Sequence, residues 1–595
     1  MRKIMAKFLK KFMSILERIA SDDARPDIGT LSYTTEDIRV QIRPGIPNDE
    51  IWYTSTDGNI VIPHKTSAFN ANIISNTYIN GKGVIKFAGD LTTVGDYAFQ
   101  AETQGGSGSV TPIGTVTIGD IGFDDPEPLD PITYSSNLAT IIIPNGVTTI
   151  GGFAFGNCGN LTSVTLGRSV TNIDSFAFNC STGLTSIEIP PSVTNIGAYA
   201  FTECSNLSGQ INIPDSVTNI GDYAFNKCSK ITSVRIGNSV TSIGEGAFYN
   251  CNRLTSVIIS NSVTSIGTQA FWSCTGLTSL TIPDSVTSIG TQAFDNCTGI
   301  TSLNISNSLT TIDNFVFRNC SSITSVTIPD SVTTIGSMSF YNCAGLTSIT
   351  IGSGVTKLTS GAFGNCTSLL SVNIPDNVTD MGAECFANCS ALTSVTIGSG
   401  LTIVKNRVFS GCSRLTSVTI GSNVTTIEIY AFNNCTSLTS IEIPDSVSDI
   451  SDRSFLGCSG LSSITVGVNN TKYDSRNNCN AIIRTSDNRL ILGCKNSVVN
   501  NTVNTINSYA FANCTGLNTI TLPESVNLIL DYAFQKCTGL ISFTLLNTTP
   551  PTLIATAFSN VSSEFVIYVP SESVDTYKTA PVWNGFASRI QAIAS

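Results

Sequence analysis

The sequence predicts a repeat solenoid, mainly of β-structure, with a separate cap at each end. Three observations predict this fold class. A phenylalanine recurs every 23 residues, with one 24-residue step. A short alternation of apolar and polar residues precedes each of these phenylalanines. The chain of 595 residues is also longer than one hydrophobic core normally organises. A fixed period of this length is the signature of stacked repeat units.

The repeated phenylalanines run through roughly two-thirds of the chain. One unit cannot bury its own apolar residues, so neighbouring units are expected to stack into a continuous core. The phenylalanines with this spacing are Phe155, Phe178, Phe201, Phe225, Phe248, Phe271, Phe294, Phe317, Phe340, Phe363, Phe386, Phe409, Phe432 and Phe455, and then Phe511 and Phe534 after an interruption.

Each unit reads as one coil of the solenoid. Two apolar residues around a polar one predict a short strand with one buried face. A Pro-Asp-Ser turn follows, and then a second apolar pair predicts another short extended piece. An alanine, the phenylalanine and a cysteine are expected to point into the core. In the unit 277–297 these residues are Leu280, Thr281 and Ile282, the turn 283–285, Val286 and Ile289, and Ala293, Phe294 and Cys297.

Composition and charge exclude several classes of protein. Only 12% of the residues are charged and 41% are hydrophobic, which argues against a disordered chain. The net charge of −11 argues against a nucleic-acid partner, since phosphate binding needs clustered Lys and Arg. No apolar run reaches the roughly 18 residues of a transmembrane helix, so we expect no membrane-spanning segment.

The repeats divide the chain into seven segments. In order, we predict an amphipathic basic helix at 1–20, a β-rich N-terminal cap at 21–88, a degenerate first repeat with a Gly/Ser-rich insertion at 89–137, regular repeats at 138–458, a non-repeat island at 459–505, the last repeats at 506–560 and a C-terminal cap at 561–595. Within the C-terminal cap, Ser571 is a candidate N-cap for a short helix that reaches Tyr577.

The residues of the predicted N-terminal helix suggest a docking role. Its apolar residues follow a helical spacing, and lysines interrupt what would otherwise be the apolar stretch of a signal peptide. We therefore expect no standard signal peptide, and we favour docking or formation of homo-oligomers. A membrane-surface anchor and an unusual export leader remain alternatives. The apolar residues are Met5, Phe8, Phe12, Ile15 and Ile19.

The pattern L-x-x-V-x-I-P-x-S-V-x-x-I-G-x-x-A-F-x-x-C resembles the BspA-like leucine-rich repeats of gut and oral Bacteroidetes, which also occur in treponemes and trichomonads. The segments 51–58, 473–494 and 567–590 resemble that family's N-terminal segment, its recurring island and its C-terminal cap. The resemblance covers residues from about 50 to the end. It implies a leucine-rich-repeat-like right-handed superhelix, exposure at the cell surface, adhesion and protein binding.

Cysteine usage points to packing rather than to a metal site. Fifteen of the nineteen cysteines lie three residues after a repeat phenylalanine, Cys180 lies one residue earlier in its own unit, and the others are Cys385, Cys479 and Cys494. A spacing of 23 residues lacks the close pairs of metal sites, so we expect buried free thiols and no bound metal. A disulfide between Cys479 and Cys494 within the island is an open alternative.

Catalytic chemistry has little support in the sequence. His64 is the only histidine, and it lies in a predicted cap outside the repeats. A Ser-His-Asp or Cys-His arrangement would have to use it. No glycine-rich phosphate loop is present, so we predict no enzyme, no catalytic residue and no cofactor.

Two surface positions are candidates for partner binding. One outward position of each predicted strand is usually Thr, and its irregular members Arg235 and Ile258 are candidate contacts. The other is the residue after each repeat phenylalanine, here called the post-Phe column. Its candidate members are Tyr249, Trp272, Asp295, Arg318 and Tyr341. Aromatic residues beside arginine are common in protein and glycan recognition. In both positions, a variable solvated surface is the simpler interpretation.

These features favour a non-enzymatic, adhesin-like scaffold that presents an extended repeat surface to proteins or glycans. The expected location is the cell surface or the extracellular space. One alternative is a fibre component of a larger assembly, such as a bacteriophage virion, docked through the N-terminal helix. The other alternative is an intracellular scaffold.

Overall fold

The computed structural model describes residues 46–100 and 137–594, which divide into two compact units with their boundary between Val217 and Thr218. The prediction of a mainly β repeat solenoid is confirmed, since short strands recur once or twice in every repeat unit and helix is scarce. The predicted N-terminal helix at 1–20 and most of the predicted insertion at 89–137 lie outside the described residues.

The first unit contains the N-terminal cap and the first coils. Its strands are β1 (Glu50–Ser55), β2 (Ile73–Ile79), β3 (Lys82–Phe87), β4 (Thr93–Val94), β5 (Leu138–Ile142), β6 (Thr149–Ile150), β7 (Ser163–Thr165), β8 (Asn172–Ile173), β9 (Ser186–Ile187), β10 (Asn195–Ile196) and β11 (Ser208–Asn212), with a 3-10 helix at Thr66–Ala68.

The second unit continues the same alternation of longer and two-residue strands. They are β12 (Asn219–Ile220), β13 (Lys230–Arg235), β14 (Ser242–Ile243), β15 (Ser256–Ile258), β16 (Ser265–Ile266), β17 (Ser279–Thr281), β18 (Ser288–Ile289), β19 (Ser302–Asn304), β20 (Thr311–Ile312), β21 (Ser325–Thr327), β22 (Thr334–Ile335), β23 (Ser348–Thr350), β24 (Lys357–Leu358), β25 (Ser371–Ile374), β26 (Asp380–Met381), β27 (Ser394–Ile397), β28 (Ile403–Val404), β29 (Ser417–Thr419), β30 (Thr426–Ile427), β31 (Ser440–Ile443), β32 (Asp449–Ile450) and β33 (Ser463–Val466).

The island and the C-terminal part complete this unit. Their strands are β34 (Tyr473–Asp474), β35 (Ala481–Arg484), β36 (Arg489–Gly493), β37 (Thr505–Ile506), β38 (Thr519–Leu522), β39 (Leu528–Ile529), β40 (Ser542–Leu545), β41 (Thr552–Leu553), β42 (Val566–Val569) and β43 (Ile590–Ala592). The helix α1 is Val574–Thr579, and 3-10 helices lie at Arg476–Asn478, Ser571–Ser573 and Trp583–Arg589.

Equivalent positions of successive coils pair in register. Strand β17 pairs in parallel with β19, so that Thr281 lies opposite Asn304, and β16 pairs in parallel with β18. Each coil therefore adds one strand to two separate ladders. Threonines beside the first ladder reinforce it, because the Thr301 hydroxyl donates to the Thr278 carbonyl of the preceding coil at 3.1 Å.

Besides its two strands, each coil contains a turn around the repeat phenylalanine, and two residues of this turn have a left-handed backbone. In the coil of Phe294 these are Gln292 (φ 60°) and Asn296 (φ 61°). Asparagine tolerates this conformation better than most residues, which explains its frequent place before the repeat cysteine. The turn leaves backbone N–H groups that bond to the next coil, as from Phe248 N to Ala270 O at 2.7 Å.

A ladder of stacked phenylalanines forms the core. Phe271 and Phe294, both fully buried, stack with centroids 5.2 Å apart and ring planes 3° apart. The cysteines form a parallel ladder beside the rings. Cys297 is typical, since its thiol donates to the Phe271 carbonyl at 3.1 Å. The repeat cysteines are thus buried, as predicted, except the half-buried Cys180, and the buried thiols also donate weak hydrogen bonds that the sequence did not reveal.

The N-terminal cap closes one end of the first ladder. Strand β1 pairs antiparallel with both β3 and β5, while β2 pairs with β3. Strand β4 pairs in parallel with β6. The degenerate coil at 93–99 therefore stacks on the coil at 149–155 in the same way as a regular repeat, with Phe99 5.6 Å from Phe155.

The island joins the second ladder through β36, which pairs in parallel with β37. At the C-terminus, Trp583 and Tyr577 are fully buried, and the Trp583 indole donates to the Pro551 carbonyl at 2.8 Å. The expectation that Ser571 caps the helix is wrong. Ser571 lies within a 3-10 turn before α1, and its hydroxyl bonds to Glu572 at 3.2 Å.

Candidate functional site

The outward strand positions form an exposed face of each coil. Ile258 is 62% exposed, which is unusual for a large apolar side chain. It lies directly beside Arg235, its partner in the pairing of β13 and β15, and Arg235 is half-buried. The structure thus brings these two candidates together, as one irregular pair on a face of mainly Thr, Asn and Ser.

The backbone places the post-Phe column at regular intervals. The amide of the left-handed residue before each cysteine donates to the carbonyl of a post-Phe residue in the next coil. Asn250 N bonds to Trp272 O at 2.7 Å, and Ser273 N bonds to Asp295 O at 2.9 Å. Successive side chains of the column therefore lie one coil apart, so the five candidate residues from Tyr249 to Tyr341 form one continuous row.

Asp295 is the middle residue of this row, and its side chain is not exposed as the sequence suggested. A column of variable residues predicts exposed side chains, whereas Asp295 is completely buried. Its carboxylate accepts hydrogen bonds from the Arg318 Nη2 at 2.6 Å, the Trp272 indole at 3.3 Å, the Gln292 amide at 3.4 Å and the Asn319 amide at 3.3 Å. These five residues are called the Asp295 cluster.

The ion pair explains why a charge is buried here. Arg318 Nε also lies 3.2 and 3.1 Å from the two Asp295 oxygens, so that the pair is bidentate. This carboxylate raises the pKa of the Arg318 guanidinium above its ordinary value. The Arg318 side chain remains 30% exposed. The Asp295 carboxylate thereby holds the Arg318 guanidinium in one position at the surface.

Aromatic rings flank the cluster. Tyr249 stacks on Trp272 with centroids 4.5 Å apart, and burial raises the pKa of Tyr249. Arg318 lies over the ring of Phe315 at 4.8 Å. Tyr341, the last candidate, is half-exposed one coil beyond Arg318. The structure therefore gathers four of the predicted column residues into one contact network, with Tyr341 at its edge.

Sequence reasoning missed a second surface row, the residue two positions before each repeat phenylalanine. Both Gln292 and Phe315 belong to this pre-Phe column. In the first unit it forms a stack of half-buried rings, in the order Tyr97, Phe153, Phe176 and Tyr199, with centroids 5.4, 4.6 and 4.8 Å apart. The recurrence of aromatic residues at this position in the sequence could have predicted this column.

The same pre-Phe column carries an arginine clamp near the island. Arg453 donates to the Tyr430 hydroxyl at 2.9 Å and to the Tyr509 hydroxyl at 2.8 Å, and it lies 4.2 Å over the Tyr509 ring. Tyr430 and Tyr509 are separated in sequence by the island. Because Nη1 and Nη2 of Arg453 bond to tyrosines on either side of the island, this clamp ties together parts of the chain that lie far apart in sequence.

The described residues contain no candidate metal site, and the two cysteines of the island are not paired. No group of three or more His, Cys, Asp or Glu side chains in residues 46–100 and 137–594 could hold a metal ion. Cys479 and Cys494 are both buried free thiols, bonded to the carbonyls of Ala481 and Asn480 at 3.7 and 3.4 Å. No helix within the described ranges has the length and apolar character needed to cross a membrane.

The buried thiols are expected to be unreactive in the folded protein. Burial raises the pKa of Cys251, Cys343 and Cys389 to about 12. At pH 8 the attacking thiolate is therefore scarce. The half-buried Cys180 should react first with a thiol reagent such as Ellman's reagent. After unfolding without reductant, all nineteen thiols should react, and a markedly lower count would contradict the free-thiol ladder.

The same shift predicts a loss of stability in alkali. An unfolded thiol ionises near its ordinary pKa of 9, whereas the folded Cys251 thiol does so near 12. The unfolded state thus releases protons first, so the contribution to stability is complete below pH 9 and declines as the pH rises towards 12. Urea unfolding at pH 8 and pH 10 measures this decline.

Comparison with known proteins identifies the repeats. The family described as "BspA type Leucine rich repeat region (6 copies)" matches this chain at residues 132–255, 208–313, 241–370, 356–483 and 492–580. The matched residues make up most of the chain. No curated protein matches it.

Several solved structures are similar to this chain. A leucine-rich repeat protein from Bacteroides ovatus is 26% identical, with a TM-score of 0.50, over 69% of this chain and 92% of that one. A leucine-rich cell surface protein from Faecalibacterium prausnitzii is 32% identical, with a TM-score of 0.36, over 56% and 90%. The pneumococcal vaccine antigen PcpA is 18% identical, with a TM-score of 0.36, over 65% and 89%.

The family match, the stacked 23-residue coils and the Bacteroides relative agree with one another. The chain belongs to the BspA-type leucine-rich repeat family.

Proposed function

We propose that this chain is a non-enzymatic, adhesin-like scaffold at the cell surface, and that the Asp295 cluster with Tyr249 is its binding site for a protein or glycan partner. The observation that carries the proposal is the complete burial of the Asp295 carboxylate in a row of otherwise surface side chains. Burying an ion pair rarely adds stability in comparison with apolar packing. Its effect here is to hold Trp272 and Arg318 in one arrangement.

Preorganisation of this kind favours binding. A side chain that is already ordered loses little conformational entropy when a partner binds. Trp, Tyr and Arg are also the residues enriched in the energetically dominant centres of interfaces. Trp272 and Tyr249 are half-buried and Arg318 is 30% exposed, so each keeps a surface for contact. Most other members of the post-Phe column are small or amide residues, such as Asn226 and Gly364.

The surface location rests on similarity. The Faecalibacterium relative is a cell surface protein by its description. Repeat scaffolds of this family are generally non-enzymatic. Docking through the predicted helix at 1–20, and with it a virion fibre or a homo-oligomer, stays a prediction on residues outside those that the structure describes.

Binding of the purified chain to intact cells tests the proposal. The labelled full chain would be titrated onto a panel of epithelial and bacterial cells. The variant with both Tyr249→Ala and Trp272→Ala should bind at least about 30-fold more weakly, as expected for loss of about 2 kcal/mol at an interface centre. Circular dichroism and urea unfolding would confirm that this variant is folded.

The matched control changes the other candidate surface. Arg235→Thr with Ile258→Thr restores the common residue of the outward strand positions and leaves the core untouched. We expect this control to bind as the parent does. Unchanged binding by the Tyr249/Trp272 variant, with loss in the control, would move the binding site to the strand face and reject the Asp295 cluster.

A further inference from the structure

Tyr341, the last residue of the candidate row, differs from the other aromatic residues of the row in that no ring of the described residues stacks on it. Tyr249 and Trp272 cover each other's faces at 4.5 Å, and Arg318 covers Phe315. Among the described residues, neither a ring nor a cation lies over Tyr341, and its hydroxyl has no hydrogen-bond partner. Tyr341 is therefore the one aromatic post-Phe residue of this described row with no ring or cation against either of its faces.

Two glycines in the next coil explain this difference. Gly364 occupies the post-Phe position and Gly361 the pre-Phe position, so neither column places a side chain there. A Cβ at Gly364 would lie 3.0 Å from Tyr341 Cδ2, and a Cβ at Gly361 would lie 3.1 Å from Met338 Cγ. The Tyr341 ring thus lies close to glycine backbone, here called the glycine floor, and a side chain at position 364 would require the ring to shift.

Fixed polar groups border this ring on both sides. Towards the preceding coil, Asp295 holds Arg318 by Nε and Nη2, which leaves Nη1 without a hydrogen-bond partner among the described residues. Towards the following coils, Glu384 is exposed and is held by Arg407, with Oε1 3.3 Å from Nη1. Glu384 and Tyr341 are two coils apart, a gap of about 10 Å at the usual strand spacing.

We propose that Tyr341, on its glycine floor, is a subsite for a single sugar residue of a glycan. The negative face of an aromatic ring attracts the C–H face of a sugar. Polar groups placed around an apolar platform give a ligand site its orientation, and here Arg318 Nη1 would donate to a sugar oxygen while Glu384 would accept from a hydroxyl. This inference rests on the proposed binding function and names glycan as the ligand class.

Saturation-transfer NMR on the full chain tests the subsite. The probes are the methyl glycosides of glucose, galactose, N-acetylglucosamine and glucuronic acid, each at millimolar concentration. At least one should receive saturation from the parent protein. Tyr341→Ala should weaken that binding at least 10-fold, and so should Gly364→Val, which fills the floor without requiring a left-handed backbone.

Two further variants guard against misfolding as the cause. Tyr341→Phe keeps the ring face and should keep binding. Tyr532→Ala removes a ring that stacks on Tyr509 far from the subsite and should leave binding unchanged. A response from glucuronide alone would indicate a carboxylate on Arg318, and a response from neutral glycosides would indicate ring stacking; both support the subsite.

The subsite is overturned if none of the four probes responds, or if the response survives Tyr341→Ala. Its failure is distinguishable from failure of the proposed function. If no sugar binds while the Tyr249/Trp272 variant still loses cell binding, only the sugar subsite is rejected. If sugars bind at Tyr341 while that variant binds cells normally, the Asp295 cluster is rejected as the partner site.

Discussion

Replacing Phe178 by Ala is expected to lower the free energy of unfolding by about 3–5 kcal/mol, the usual cost of removing a buried aromatic ring. Phe178 is fully buried and stacks on both neighbours, 5.1 Å from Phe155 and 5.1 Å from Phe201. Because each coil contacts only the adjacent coils, the cavity would weaken two interfaces at once. Urea unfolding followed by circular dichroism measures the loss.

The same coil offers a matched control. Phe176 also stacks on both sides, at 4.6 Å from Phe153 and 4.8 Å from Tyr199, but it is only half-buried in the surface ladder. Phe176→Ala should cost about 1 kcal/mol, the order of an aromatic pair beyond its buried area. Equal losses for the two variants would mean that the buried ladder does not dominate the stability of the coils.

Removing the two partners of the Asp295–Arg318 pair is expected to have unequal effects. Arg318→Met leaves a carboxylate that is 1% exposed without its counter-charge, at a cost of about 3 kcal/mol. Asp295→Asn leaves an arginine that is 30% exposed and able to turn towards water, at a cost of about 1 kcal/mol. The ranking follows from burial, since the two charges are equal in size.

A double-mutant cycle separates pairing from packing. The double variant Asp295→Asn with Arg318→Met contains no buried charge, so it should be more stable than Arg318→Met alone. Urea midpoints of the four proteins supply the coupling energy. A double variant less stable than either single variant would show that the two side chains act through independent contacts and that the buried charge is not the source of the cost.

The coil architecture could be predicted because stacking imposes it on the sequence. The apolar pairs gave the positions of strands such as β17 and β18, and the period placed Phe294 and Cys297 in the core. Even the left-handed backbone at Asn296 has a signal, in the frequent asparagine before cysteine. These residues have the same structural role in every coil, so the repeated pattern reveals that role.

The candidate site could be predicted only in part. Trp272 and Arg318 stand out as departures from the repeat, and the structure does place them in one cluster. The burial of Asp295 was beyond sequence reasoning, because it depends on Gln292 and Asn319 from other columns and on side chains that fold over the carboxylate. The start of the C-terminal helix was also predicted wrongly. The chain forms a 3-10 turn at Ser571–Ser573 before α1 begins, so Ser571 is not at the N-cap position.

We propose that partner binding uses the post-Phe column rather than the outward strand face. Hydrogen–deuterium exchange of the chain, free and bound to cell-surface fragments that retain it, tests this claim most directly. On binding, we expect slower exchange in the backbone at 249–250, 272–273, 295–296 and 318–319, with exchange in β13 and β15 unchanged. Slower exchange confined to β13, β15 and the neighbouring strands of that face would contradict it.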